Sequence, residues 1–322
     1  MRVDTLTYFS TSLPGIRDNQ TAIARLNQQI ASGQRLLAPK DDPLDTEKVL
    51  YLSNRVATRS QHVANQDRAQ LALKYEEVVV QEMQQSLSAA RDLLRISPYN
   101  DQSLRNIHAE QLKGTFNHIL GLLNTQDPAG NYIFGGYVTN SAPYANTSLS
   151  GATVTPLDTT YTGTTAPGGL RQIEIEEGRT VQVNDNLESV FLFTDSSFID
   201  PANGAGPNQD DHDLLENLAY AIANLPGSTI TVDEINRLAL VIDTTLERLA
   251  LVEHRVAGAM SEVEDARSST KALLLQEQNA LSDIQQVDQA AAIIELQLRQ
   301  TTLEAANQAF ARTSGLSLFN YL

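Results

Sequence analysis

Two kinds of hydrophobic pattern divide the chain. Toward both ends, apolar residues recur every three or four positions, which is the spacing of an amphipathic helix. The centre is rich in Thr, Ser, Gly and Pro over residues 139–170, and short stretches after it alternate polar with apolar residues, as strands do. We predict helices over residues 13–32, 43–97, 102–123, 212–224, 231–286 and 288–313. The chain is therefore expected to be mainly α with a β-rich insert.

The longest predicted helix carries the most regular repeat. Ile235, Ile242, Leu249, Val256 and Val263 hold one position of a seven-residue repeat, which favours a coiled coil over a helix of a globular core. We expect long helices from the two halves of the chain to pair antiparallel in an elongated coiled-coil rod, with a central β domain projecting from it.

The helices nearest the two ends are also amphipathic. Ile16, Ile23 and Ile30 recur at heptad spacing, with Leu26 beside them. A helix of this length is marginal in water by itself, and each buried Leu or Ile contributes roughly 1.5–3 kcal/mol, so these faces need a cover. The two helices can pair with each other within one chain or pack against neighbouring subunits, and the residues alone leave both arrangements open.

Several short elements are predicted in the centre. Residues 132–137 read as a strand followed by a tight turn, and residues 187–193 as a further strand. Residues 171–176 and 180–183 alternate polar with apolar side chains around a Glu-Gly-Arg turn, which favours a β-hairpin. Residues 201–209 read as a loop.

The patterns together suggest five segments. We expect an N-terminal helix and linker, two halves of the helical rod on either side of a β-rich projecting domain, and a C-terminal helix. Their ranges are 1–41, 42–138, 139–207, 208–286 and 287–322.

Composition and charge exclude several classes of function. The net charge of −16 argues against nucleic acid as a partner, since phosphate binding needs clustered Lys and Arg. No apolar stretch has membrane-spanning length, so we expect no membrane partner. The chain has no Cys, which excludes disulfides and thiolate chemistry. The first residues lack the apolar core of a signal peptide, so export would not use a conventional cleaved signal.

Candidate catalytic and metal sites are weak. The five His residues form no i, i+4 pair. The cluster from Asp210 to Asp213 is the best metal-like group, but acids also favour a helix N-terminus through the helix dipole. Asn146, Thr147 and Ser148 fit a glycosylation acceptor, a match too short to be informative. We expect no enzyme activity, no cofactor and no metal.

Several short motifs lie near both ends of the chain. They are the Ser-Gly-Gln-Arg stretch at 32–35, the Lys-Asp-Asp-Pro stretch at 40–43, the Gly-Asn-Tyr-Ile-Phe-Gly-Gly stretch at 130–136, and residues 286–288, 305–310 and 316–322. In their order and spacing these motifs resemble the flagellin family. The Asp-Asp-Pro stretch and the last seven residues look more like the hook-filament junction members of the family than like filament flagellin. The resemblance covers residues 1–137 and 233–322.

This resemblance implies a structural role. The chain would join the hook, through a neighbouring hook-associated protein, to the flagellin filament outside the cell, and it would leave the cell through the flagellar type III apparatus. Implied partners are that hook-associated protein, flagellin, further copies of the chain in a ring or tubular layer, and an export chaperone. The expected assembly residues are Ile16, Ile23, Leu26, Ile30, Leu303 and Phe310. The expected chaperone-binding residues are Ile293, Leu296, Leu303 and Phe310.

Three other functions stay open at this point. The chain could be filament flagellin itself, which would polymerise into long filaments. It could be an enzyme with its site in the central β domain, although no residue constellation supports one. It could also be a coiled-coil scaffold unrelated to flagella.

Overall fold

The chain is mainly helical. A computed structural model describes residues 2–96, 101–144, 161–163, 169–193, 212–227 and 230–319. Its helices are α1 (Arg2–Ser32), α2 (Pro43–Ile96), α3 (Gln102–Leu123), α4 (Glu188–Phe191), α5 (Leu214–Asn224), α6 (Val232–Gln285) and α7 (Gln289–Phe319). Its strands are β1 (Gln172–Glu176), β2 (Arg179–Gln182), β3 (Leu192–Phe193) and β4 (His212–Asp213). The predicted fold class, mainly α with a small β insert, is confirmed.

Polar caps explain where the long helices begin. The Asp42 carboxylate accepts a hydrogen bond from the main-chain N–H of Asp45 at 3.1 Å, and Pro43 opens α2. Thr231 and Glu234 cap α6 reciprocally, because each side chain accepts a hydrogen bond from the other residue's main-chain N–H. Asp101 accepts from the first turn of α3. The predicted ranges of these helices are confirmed to within one or two residues.

The chain divides into two compact units. Unit 1 contains Met1–Ser60 and Lys271–Leu322, and unit 2 contains Gln61–Thr270. The predicted five-segment division differs in kind from this one and stays a prediction.

The core of unit 2 is a seam between α2 and α6. Side-chain contacts join Gln70 to Glu264 and Arg91 to Asp243, so the two helices run antiparallel. The five apolar residues of the predicted repeat in α6 are all buried, from Ile235 at 1% exposed to Val263 at 0%. On α2 the buried positions follow the same three- and four-residue spacing: Gln66, Ala69, Leu73, Glu76, Val80, Met83, Leu87, Ala90 and Leu94.

The predicted β-hairpin is confirmed. β1 and β2 pair antiparallel, with Ile173 opposite Val181. Gly178 has a φ of +72° in the turn, a left-handed conformation that glycine adopts without strain. Ile175 and Val181 pack with Leu73, Val256 and Val263, so one face of the hairpin covers the α2–α6 seam.

Two predicted central strands were wrong over most of their length, whereas the tight turn predicted within residues 132–137 is confirmed. Residues 132–137 form turns, with one isolated bridge between Gln126 and Tyr132, because Gly135 and Gly136 bend the chain there. Residues 187–193 begin with Leu187 at φ +48°, continue as the short helix α4, and pair only at Leu192–Phe193 with β4. The predicted loop at 201–209 lies outside the described residues.

Both terminal helices are longer than predicted. α1 begins at Arg2 rather than at residue 13 and passes through Pro14. α7 continues to Phe319, past the predicted stop at Gly315. A proline removes one hydrogen-bond donor and a glycine costs backbone entropy, but neither forbids helical φ and ψ. α1 and α7 pack against each other, which stabilises both helices.

Candidate functional site

The linker after α1 is fixed to the junction between α6 and α7. Gly33, with φ +71°, ends α1, and its carbonyl accepts a hydrogen bond from the Val287 N–H at 3.1 Å. The Arg35 N–H donates to the Gln285 carbonyl at 2.7 Å, and Gln34 forms an isolated antiparallel β-bridge with Gln286. The breaks that set off the two terminal helices therefore meet in one place within unit 1.

Charged residues shape this linker. The Asp41 carboxylate accepts hydrogen bonds from the N–H groups of Leu37 at 3.2 Å and Ala38 at 3.0 Å. The guanidinium of Arg35 pairs with Asp45, and the hydrogen bonds from Arg35 and then Lys48 hold the pKa of the Asp45 carboxyl below its usual value. Asp41 thus holds the main chain of the linker, whereas Arg35 ties the linker to α2 through Asp45 and to α6 through the carbonyl of Ile284. The sequence marked these residues as a motif without indicating that role.

The linker also borders a small open cavity of about 150 Å³. Its lining is largely apolar: Gln34, Leu36, Leu37, Ala38, Pro39, Thr46, Val49 and Gln285. A space of this size admits one or two side chains of another protein rather than a cofactor.

α1 and α7 pair antiparallel within unit 1. The Asn19 amide donates to the Arg299 carbonyl at 3.3 Å, while Gly33 meets Val287 at the other end. The covered positions of α1 recur at three- and four-residue spacing: Ile16, Asn19, Ile23, Leu26 and Ile30. The covered positions of α7 follow the same spacing, with one place in the series left exposed: Ala292, Leu296, Leu303, Ala306 and Phe310.

The predicted assembly residues all lie along this seam. Leu26 is buried, at 8% exposed, whereas the other five assembly residues are only half-buried. Two helices cover one stripe of each other and leave the flanks of that stripe open. The two terminal helices thus pair with each other within one chain, and this pairing leaves the seam incompletely covered.

Part of α7 is apolar on its outer side as well. Ile293 is 44% exposed, Ile294 67% and Leu298 65%. Of the predicted chaperone-binding residues, Ile293 therefore lies outward, whereas Leu296, Leu303 and Phe310 belong to the seam. The sequence reading missed Ile294 and Leu298, which lie four residues apart and form a second apolar stripe beside the heptad positions.

Farther along unit 1, one acid joins α2 to α6. The Glu277 carboxylate accepts hydrogen bonds from Arg55 Nε at 2.7 Å and Arg59 Nε at 2.8 Å. Burial raises the pKa of Glu277, but the hydrogen bonds from Arg59 and Arg55 outweigh it, so that the pKa lies below its usual value. This ionic contact holds the two helices in register next to the linker.

The described residues offer little for catalysis or metal binding. Within the ranges given above, no group of three or more His, Asp or Glu side chains is placed to hold a metal ion. The cluster at Asp210–Asp213 and the sequence at 146–148 have no described side chains. In the part of the chain that the structure covers, no helix is long and apolar enough to cross a membrane.

Known proteins are similar in sequence to this chain along its whole length. The flagellar hook-associated protein 3 of Escherichia coli is 24% identical over 99% of this chain and 99% of its own length. The protein of the same name from Salmonella typhimurium is 23% identical over the same shares. A solved structure of flagellar hook associated protein-3 from Legionella pneumophila superposes with a TM-score of 0.59 at 16% identity, covering 73% of this chain and 98% of the other.

A family match locates the resemblance. Residues 3–139 match the bacterial flagellin N-terminal helical region, which includes the linker motif and the turns at 130–136. The solved structure agrees in fold, and the two relatives extend the likeness beyond residue 139 to the C-terminal helices. The resemblance to the flagellin family is confirmed: residues 3–139 match the flagellin N-terminal helical region, and the chain is similar over its whole length to flagellar hook-associated proteins.

Proposed function

We propose that this chain is a structural subunit of the bacterial flagellum that joins the hook, through a neighbouring hook-associated protein, to the flagellin filament. Its whole-chain similarity to two proteins named flagellar hook-associated protein 3 supports this role. Such a subunit acts by binding, because a joint between two different polymers must bind both and transmit force between them.

The observation that carries the proposal is the incomplete cover of the terminal helices. α1 and α7 pair, yet Ile294 and Leu298 remain about two-thirds exposed, and most of the seam is only half-buried. Apolar stripes of this kind become buried when a helix packs against further helices. We infer that neighbouring subunits supply those helices in a ring or tubular layer.

The linker holds the two helices of this assembly surface in one orientation relative to each other. Hydrogen bonds tie Gly33 and Arg35 to Val287 and Gln285, so α1 and α7 leave the linker as one pair. The cavity beside the linker is open to an apolar side chain of a neighbouring hook-associated protein or of flagellin.

Export is the second part of the proposal. We infer that the chain leaves the cell through the flagellar type III apparatus and that a chaperone holds α7 before export, in the manner of a helix in a groove. The proposed contact residues are Ile293, Leu296, Leu303 and Phe310. Deleting residues 288–322 should abolish chaperone binding in a pull-down with the purified chaperone, and undiminished binding would remove this part of the proposal.

Deleting the gene in its host tests the junction role. Cells without the protein should retain hooks, lack filaments and shed flagellin into the medium. Complementation should succeed with the wild-type gene and fail with the double variant Ile294→Gln, Leu298→Gln. Leu251→Gln removes an equally exposed leucine from α6 and serves as the matched control. Normal filaments in the deletion strain would contradict the proposal.

Filament flagellin is the rival within the same family. It predicts that the pure protein polymerises into long filaments, whereas a junction subunit forms at most a short layer. Electron microscopy of the concentrated protein distinguishes the two. An enzyme in the central region would belong to another class of function, and no arrangement of side chains in the described ranges favours one.

A further inference from the structure

The α2–α6 seam of unit 2 contains one acid among its apolar residues. Glu76 occupies a position at the spacing shared by Leu73, Val80 and Met83, and its side chain is fully buried. A buried carboxylate is costly unless it is paired and hydrogen-bonded. The hydrogen-bond and charge partners of Glu76 therefore determine whether its carboxyl group is protonated.

A single arginine serves two acids here. Arg255 on α6 donates from Nη2 to Glu76 at 3.0 Å, and from Nη2 and Nε to Asp185 at 2.7 and 3.0 Å. Asp185 follows β2 of the hairpin. The cluster therefore joins α2, α6 and residues 171–187, the hairpin segment. If both acids are ionised, the cluster carries one net negative charge, with Glu76 fully buried and Arg255 and Asp185 partly exposed.

The two carboxyl groups are unequally satisfied. Asp185 also accepts a hydrogen bond from the Gln182 amide at 2.8 Å, so both of its oxygens have donors. Glu76 Oε2 has no hydrogen-bond partner among the described residues. Of the two acids, Glu76 is therefore the one that is protonated. Its proton removes the net charge of the cluster, and the carboxyl O–H can donate a hydrogen bond toward Asp185.

Electrostatics agree with this assignment. Burial, and then the charge of Asp185, raise the pKa of Glu76 to about 8, although Arg255 acts in the opposite direction. Asp185 and Arg255 are the charged groups that act on Glu76. Its neighbours along the α2 seam, Leu73 and Val80, are apolar.

We propose that Glu76, Arg255 and Asp185 form a proton-dependent fastening, which holds the hairpin segment on the α2–α6 seam while Glu76 is protonated and loosens it when Glu76 ionises. Ionised Glu76 needs donors or water for Oε2. Water reaches it when Asp185 and the hairpin segment move away from Arg255. Unit 2 thus responds to rising pH at a buried carboxyl group, independently of any assembly partner.

Hydrogen exchange of the full chain between pH 6 and 9.5 tests the fastening. After correction for intrinsic exchange, protection of residues 171–187 should fall by about tenfold per pH unit between pH 6 and about 8 and level off above it, because Glu76 in the opened state ionises at its ordinary pKa. Glu76→Gln keeps the shape but cannot ionise, so its protection should stay constant throughout. Glu77→Gln removes a carboxylate from the adjacent position and should follow the wild type.

Thermal unfolding provides a second readout. The folded pKa of Glu76 exceeds its ordinary value of 4.5, so the folded chain binds more protons between pH 4.5 and about 8. The wild type should therefore lose stability relative to Glu76→Gln as pH rises across that window, and the difference should stay constant above it. Circular dichroism of Glu76→Gln verifies that the variant folds. Unchanged protection of wild-type residues 171–187 up to pH 9.5, or equal pH dependence in the wild type and Glu76→Gln, would overturn the proposal.

Discussion

Asn19 on α1 donates a hydrogen bond of 3.3 Å to the main-chain carbonyl of Arg299 on α7, 280 positions away in the sequence. Asn19 is buried at a seam position otherwise held by apolar residues, and its own carbonyl oxygen has no hydrogen-bond partner among the described residues. One polar residue in an apolar seam fixes which turns of two helices face each other, and it does so at a cost in stability.

Replacing Asn19 by Leu should therefore strengthen the α1–α7 pair. The change removes an unsatisfied buried oxygen and adds apolar contact, which together favour the pair by about 1 kcal/mol. Hydrogen exchange of residues 13–30 in the purified protein measures it, with slower exchange expected in the variant. Gln20→Leu places the same side chain at the next, exposed position and should leave exchange unchanged. Equal slowing in both variants would show that Asn19 has no special place in the seam.

Glu277 should make unit 1 sensitive to acid. Its folded pKa is lowered, so its contribution to stability is present above its ordinary value of 4.5 and is lost as pH falls through the folded pKa. Glu277→Gln should reduce the free energy of unfolding by about 1–2 kcal/mol at pH 7, because charge-assisted hydrogen bonds to Arg55 and Arg59 become neutral ones.

Denaturant unfolding at pH 7 and pH 3.5 checks this prediction. The difference in free energy of unfolding between wild type and Glu277→Gln should be smaller at the lower pH. Glu304→Gln changes the same group at an exposed position of α7 and is the control. A gap that stays the same at both pH values would contradict an ionic role for Glu277.

Gly135 should not tolerate a side chain. A Cβ atom there would overlap the main-chain oxygen of Val138, within the turn that the Val138 N–H closes by donating to the Gly135 carbonyl at 3.0 Å. Gly135→Ala should destabilise unit 2 by about 2–4 kcal/mol, since the backbone must shift. Gly114→Ala, where the Cβ meets nothing within 4 Å on α3, should stabilise it by about 0.5–1 kcal/mol. Opposite shifts in the unfolding temperature are expected, and two shifts of the same sign would contradict the prediction.

The helical part of the fold was predictable because its signals are local. Asp42 with Pro43, and Thr231 with Glu234, mark helix starts through contacts between residues at most three positions apart. Heptad spacing identified the buried face of α6 at each position from Ile235 to Val263. The hairpin around Gly178 is likewise indicated by residues adjacent in the sequence.

The errors lie where distant contacts decide the structure. Residues 132–137 have strand-like side chains, yet the buried Asn184 donates its amide to the carbonyls of Ile133 and Gly136 and so holds the turns in place. Gln66 is a polar residue at the apolar spacing of α2, where local pattern gives no reason for it. In the structure it is buried and donates to the Ile175 carbonyl at 2.7 Å and to Thr270 at 3.1 Å, so it joins the hairpin to the helices.

The candidate site was predictable in part for the same reason. Heptad spacing located the seam residues from Ile16 to Phe310, but spacing cannot tell how much of the seam the partner helix within the chain covers. The second apolar stripe, at Ile294 and Leu298, became recognisable only once α1 was placed against the other side of α7.

The most direct test of the central claim is thiol accessibility on α7, in a chain that has no natural Cys. Ile294→Cys and Leu298→Cys should react rapidly with a maleimide in the free protein and slowly in flagella isolated from complemented cells, because neighbouring subunits cover that face. Glu177→Cys, in the exposed turn of the hairpin, reports general access in both states. Equally rapid labelling of the two α7 variants in the free and the assembled protein would contradict the account.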